Sequence, residues 1–196
     1  VSDVTSQHTA FLSLLYDIVE PANRETAVRI SVDAPKGTIR VGSPFAIMYL
    51  YEALEKVGRQ DEVVKSIYSD YLPMLELGAT TVWESFSRGN LGFGEFPTRS
   101  HCHAWSSAPV HFLNRIVLGI VPTSVGGASF DVSPRPGDLN WASGTTASVR
   151  GPVAVSWRKE GKRLDITASA PKGVALRFKT NDQLKGLEVR FNGRAV

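Results

Sequence analysis

Val153-Ala154-Val155-Ser156-Trp157 alternates bulky apolar residues with small ones. Alternation of this kind puts Val153, Val155 and Trp157 on one face of an extended strand, because successive side chains point to opposite sides. The same period of two returns in Val174, Leu176 and Phe178, and again in Leu187, Val189 and Phe191. Gly161, Pro171-Lys172-Gly173 and Lys185-Gly186 punctuate these runs as turns. Short alternating strands at this spacing predict an antiparallel sheet or sandwich over residues 122–196.

Upstream of Pro122 the period is helical. Leu12, Leu15, Tyr16 and Val19 share a face of a helix expected over residues 5–19, which ends near Pro21. Ser31–Val41, with Pro35 and Gly37, reads as a loop. Gly42-Ser43-Pro44 reads as a start signal, with Ser43 as cap and Pro44 at the first helical position. Phe45, Met48, Tyr49 and Ala53 then form the expected apolar face, and Gly58 is a natural stop. Over 61–76, Val63, Val64, Ile67, Tyr68, Tyr71 and Leu75 are expected to face one way, with Pro73 kinking or tightening the end. A last helix is expected from Ser106, which either it or Ser107 caps, to Gly119, with Leu113, Ile116, Val117 and Ile120 as its stripe. The expected organisation is α+β and multidomain: a helical part, 1–121, followed by a β part, 122–196.

Composition narrows the classes of function. The chain has 196 residues, 42% of them hydrophobic and 21% charged, which is a globular balance. No run of roughly 18 apolar residues exists, so no membrane partner is expected. Cys102 is the only cysteine, which excludes an intrachain disulfide and a multi-cysteine zinc site. Residues 1–121 carry 10 Lys/Arg and 13 Asp/Glu, whereas 122–196 carry 12 and 6. The basic residues of the second part are scattered with no aromatic stacking platform, so they read as a solvated β surface and no nucleic-acid partner is expected.

Residues 78–102 hold the candidate chemistry. Gly78, Gly89, Gly92, Gly94 and Pro97 interrupt Trp83, Phe86, Phe93 and Phe96, and long irregular aromatic segments are often functional. Glu84 follows Trp83: a carboxylate against an indole suits proton work on a sugar, while the plainer reading is a surface glutamate in a connecting loop. In Ser100-His101-Cys102-His103-Ala104-Trp105, the two histidines have the spacing of a ligand pair. However, His8 and His111 are the only other histidines, and no acidic residue is spaced to complete a set, so no metal or cofactor is expected. His103 reads as a hydrogen-bonding partner for a polar ligand, with Trp105 packed against that ligand. Cys102 and His103 point to opposite sides of an extended segment and so pair poorly as a thiol nucleophile and base, and Cys102 reads as a simply buried thiol.

Gly78-Ala79-Thr80-Thr81-Val82-Trp83-Glu84, followed by Ser100-His101-Cys102-His103-Ala104-Trp105-Ser106 and Val117-Leu118-Gly119-Ile120, resembles the C-terminal half of bacterial α-L-rhamnosidases, glycoside hydrolase family 78. Gln7-x-Thr9, Gly42-Ser43-Pro44-Phe45, Val132-Ser133-Pro134, Gly151 and Val155-Ser156-Trp157 extend the resemblance over nearly the whole chain. The resemblance implies part of an (α/α)6 barrel followed by a C-terminal antiparallel β-sandwich. It implies removal of terminal α-L-rhamnosyl residues with inversion, through two carboxyls roughly 6.5–9.5 Å apart. It matches Glu84 to the general base, places His103 and Trp105 near the sugar and Trp83 along it, and leaves His101 and Glu95 as further candidates for substrate binding.

The histidine motif departs from the Ser-Leu-Asn-His-Tyr-Ala form of many relatives. The family's general acid lies well upstream of the matched segment, and six helical hairpins need more helices than this chain supplies. The chain is therefore expected to be a fragment, completed by an upstream barrel segment or by an oligomer formed through exposed helix faces. Its expected partner is an α-L-rhamnoside. The alternative is a non-catalytic carbohydrate-binding or structural module. Cytoplasmic, periplasmic and secreted bacterial locations all remain open.

Overall fold

A computed structural model describes residues 4–86 and 98–196, and the chain divides into two compact units, Val1–Pro109 and Val110–Val196. The first unit is helical. Its elements are α1 (Gln7–Leu15), α2 (Arg24–Val32), α3 (Ile47–Lys56) and α4 (Gln60–Glu76). α1 packs on α2 and α3, and α3 packs on α4. The buried Gln7 side chain joins three segments: its Nε2 donates to the Ser31 carbonyl at 3.0 Å, and its Oε1 accepts from the Val41 N–H at 3.0 Å. Residues 31–41 are thus less of a free loop than expected, since Ile39 also bridges back to Ser6.

α2 has no counterpart in the sequence reading. It buries only Ala27 and Ser31, so it carries no apolar stripe to reveal it. α3 begins as expected: the Ser43 hydroxyl accepts from the Phe45 N–H, and Pro44 opens the short 3-10 turn Pro44–Ala46 that leads into the helix. It also ends as expected, because Gly58 has φ +75° and the Arg59 N–H reaches the Leu54 carbonyl at 2.8 Å across the stop. Its core face, however, is Ile47, Leu50, Tyr51, Ala53 and Leu54, while Phe45, Met48 and Tyr49 point outward. Met48 and Tyr49 share the outward side of the helix with Glu52, Glu55 and Lys56, so the charged residues, rather than the apolar ones, mark its outer face. α4 buries Val63, Ile67, Tyr71 and Met74 but exposes Tyr68 and Leu75, and it runs through Pro73 as one helix to Glu76.

α5 (Ala108–Phe112) carries the chain into the second unit and continues as a π-helical turn, Leu113–Val117. The expected Ser106–Gly119 helix is thus shorter and irregular. The Ser107 hydroxyl turns back to the Ala104 carbonyl, and Leu113 is exposed. Ile120 already belongs to the first strand.

The second unit holds β1 (Ile120–Pro122), β2 (Ser129–Val132), β3 (Trp141–Ser148), β4 (Gly151–Glu160), β5 (Arg163–Ser169), β6 (Ala175–Phe178), β7 (Glu188–Phe191) and β8 (Arg194–Ala195). They form a three-stranded sheet, β1-β2-β6, and a five-stranded sheet, β3-β4-β5-β7-β8. Pairing is mainly antiparallel, with parallel exceptions at β2/β6 and β5/β7. Val153, Val155 and Trp157 face inward as the alternation predicts, joined across the register by Ile166 and Ala168 of β5. The Trp157 indole satisfies its N–H on the Val117 carbonyl at 2.9 Å. A helical part followed by a sandwich-like β part is the architecture expected from the sequence.

Candidate functional site

Two segments of the first unit meet to form the site. The N–H of Glu84 donates to the Ser100 carbonyl at 3.0 Å, and the N–H of His103 donates to the Val82 carbonyl at 3.0 Å. The chain around Trp83-Glu84 is thereby laced to the histidine motif in an irregular two-stranded pairing. Side chains reinforce it. Thr81 Oγ1 donates to the His101 carbonyl, Thr98 Oγ1 accepts from the Ser85 N–H at 3.2 Å, and the same hydroxyl donates to the Ser100 carbonyl at 3.3 Å. Backbone groups in an otherwise irregular segment are satisfied in this way.

Glu84 is half-buried and lines a cleft of about 600 Å³ with Gly42, Ser43, Phe45, Ser85, Arg99 and Trp105. Its carbonyl oxygen accepts from Ser43 Oγ at 2.9 Å and from the Trp105 indole N–H at 3.5 Å. The aromatic wall of the cleft is continuous. Phe45 lies 5.3 Å from Trp105 between ring centroids and 6.5 Å from Tyr49, and Phe45 and Trp105 both remain exposed. An apolar wall beside a carboxylate suits a pyranose, which has apolar C–H faces and a polar rim.

The two histidines take different indoles. His103 sits 4.0 Å from the ring of Trp105, which lines the cleft, whereas His101 sits 4.9 Å from Trp83, which is only 4% exposed. Glu84, His103 and Trp105 are therefore brought together, and Trp83 and His101 form a separate pair. Glu95 lies outside the described residues. Cys102 is exposed rather than buried. The tight turn in which Ser100 Oγ bonds both the N–H and the carbonyl of Cys102 holds the thiol outward. Among the described residues, no group of three His, Cys, Asp or Glu side chains converges as a metal site.

The sequence presents Ser43 as a helix cap and Phe45 as part of an apolar helix face, and the resemblance covers both without assigning either to the site. Their place in the cleft has no local signal, because Ser43 and Glu84 are 41 residues apart.

Comparison with known proteins assigns both parts of the chain to one family. Residues 2–117 match the model of the bacterial alpha-L-rhamnosidase 6 hairpin glycosidase domain, and residues 119–192 match that of the bacterial alpha-L-rhamnosidase C-terminal domain. The solved GH78-family rhamnosidase of Bacillus sp. GL1 is 33% identical, with a TM-score of 0.86 over 97% of this chain and 20% of its own. The Streptomyces avermitilis alpha-L-rhamnosidase complexed with L-rhamnose, at 24% identity and a TM-score of 0.68, shares the fold over 87% of this chain and 18% of its own. A curated alpha-L-rhamnosidase of Alteromonas sp. (strain LOR) is 25% identical over 155 residues, which is 76% of this chain and 16% of that protein. The chain thus spans a fifth or less of the length of these relatives. With its helical and β parts each matched by one of that family's two domain models, the chain belongs to the bacterial α-L-rhamnosidase family of glycoside hydrolases.

Proposed function

We propose that this chain forms the general-base side of the active site of an inverting α-L-rhamnosidase, with Glu84 as the base. The observation that carries the reading is the half-buried Glu84 lining a cleft walled by Phe45 and Trp105, with His103 against the Trp105 ring. In the proposed reaction Glu84 takes a proton from a water molecule, and the water oxygen bonds to the anomeric carbon. The bond from that carbon to the leaving oxygen breaks as a second carboxyl group gives that oxygen a proton. Inversion requires the two carboxyls to stand roughly 6.5–9.5 Å apart, leaving room for the water. The family resemblance puts the acid upstream of the matched segment, so this chain acts within a longer polypeptide or an assembly that supplies it. Trp105 packs on the sugar and His103 hydrogen-bonds one of its hydroxyls, while Trp83 and His101, a separate tilted pair, take no part in this cleft.

The test is Glu84→Gln in the full-length polypeptide. Hydrolysis of an aryl α-L-rhamnoside is expected to fall by about 10²–10⁴-fold, since a glutamine cannot take the proton, while rhamnose affinity holds. Undiminished turnover overturns the assignment. Lost affinity with turnover intact at saturating substrate favours a binding role for Glu84 instead.

A further inference from the structure

The peptide groups on both sides of Glu84 are held: its N–H donates to Ser100, and its carbonyl accepts from Ser43 and from Trp105. The Ser43 bond is the shorter of the two on that carbonyl and comes from a distant part of the chain. Ser43 also caps the turn Pro44–Ala46, where its oxygen accepts from the Phe45 N–H at 3.4 Å. A cap needs only an acceptor, so Asp would serve there as well as Ser. The bond to the Glu84 carbonyl needs a donor, which a serine hydroxyl has and a carboxylate lacks. This one hydroxyl uses both capacities, linking the start of α3 to the backbone of Glu84.

Building on the base assignment above, we infer that Ser43 is a positioning residue for Glu84. The carboxylate stands at the end of a flexible side chain, so rotation of its peptide plane swings it relative to the water it activates. Catalytic groups need their geometry held to within about 0.5 Å and 10–20°. Releasing the Ser43 bond loosens that geometry while leaving Trp105 and His103, the proposed sugar contacts, in place, so turnover suffers more than affinity.

The experiment measures kcat, KM and thermal midpoint in the full-length polypeptide for Ser43→Ala, Ser43→Thr and Ser43→Asp. Each variant is also made in the Glu84→Gln background. Ser43→Ala is expected to lower kcat about tenfold with KM nearly unchanged, since misplacement of about 1 Å can cost up to 10²-fold. Ser43→Thr keeps the donor and restores kcat. Ser43→Asp keeps a capping acceptor but lacks the donor, so its kcat falls at least as far as that of Ser43→Ala, which carries the test should the alanine variant fold poorly. In the Glu84→Gln background the loss disappears, because residues acting as a unit are non-additive. Unchanged kcat in Ser43→Asp, or an undiminished further loss in the Glu84→Gln background, overturns the inference. If Glu84→Gln itself retains turnover, the base assignment falls and this inference with it. If Glu84→Gln is inactive while Ser43→Asp is fully active, only the role of Ser43 falls.

Discussion

Tyr71 buries its phenol on the inner face of α4, edge-on to Phe86 at 5.5 Å, and its hydroxyl has no hydrogen-bond partner among the described residues. Burial pushes its pKa well above the ordinary 10.0. Leaving a buried hydroxyl unpaired costs free energy, so Tyr71→Phe is expected to stabilise the chain by about 1 kcal/mol in a denaturant titration. The pH dependence has a definite sign. The folded state holds the neutral phenol, while the unfolded state ionises near 10.0, so this contribution is intact below pH 10 and is lost as pH rises beyond it. The variant's thermal midpoint should accordingly fall less steeply above pH 10 than that of the parent; a parallel fall contradicts this account. Glu84 stood out at this scale because a carboxylate follows an indole in an irregular stretch, though that spacing suits a surface glutamate equally and only the family resemblance matches it to a base. The hydroxyl that grips its carbonyl did not, because a tertiary hydrogen bond leaves no mark on local spacing.

Gly119 shows what single elements demand. It has φ +71°, and a Cβ there would stand 2.1 Å from the Ser133 carbonyl carbon and 2.3 Å from Pro134 N. Gly119→Ala combines left-handed strain with a backbone clash and is expected to cost at least about 3 kcal/mol. Gly137 also has positive φ but faces open space, so Gly137→Ala should cost only about 1 kcal/mol. Equal losses for the two in chemical denaturation would show that the close approach at Gly119 carries no weight. Elements were legible where one face alone is apolar, as in β4, whose inner residues were all identified. They were illegible where the pattern is absent, as in the polar α2, and misread where apolar residues sit among charged ones, as in α3, whose outward Met48 and Tyr49 share a face with Glu52, Glu55 and Lys56. The parallel β2/β6 and β5/β7 pairs were hidden for another reason: alternation reports a strand's faces and not the direction of its neighbour.

At the scale of the whole molecule, the chain matches a fifth or less of the relatives' length, and its helical unit leaves Phe45, Met48, Tyr49, Tyr68 and Leu75 exposed. The proposed mechanism needs a second carboxyl that the family resemblance puts upstream. The 196-residue chain alone is therefore expected to hydrolyse an aryl α-L-rhamnoside at least about 10²-fold more slowly than the full-length polypeptide. Comparable rates would place the acid within this chain. The most direct test of the account replaces the base with empty space. In Glu84→Gly of the full-length polypeptide, added azide can stand where the activated water stood and needs no base to attack. The account predicts that azide restores turnover of an aryl α-L-rhamnoside and yields the β-L-rhamnosyl azide, the product of inversion. Failure of azide to restore turnover, or formation of the α-azide, would contradict the placement of Glu84 as the base of an inverting enzyme.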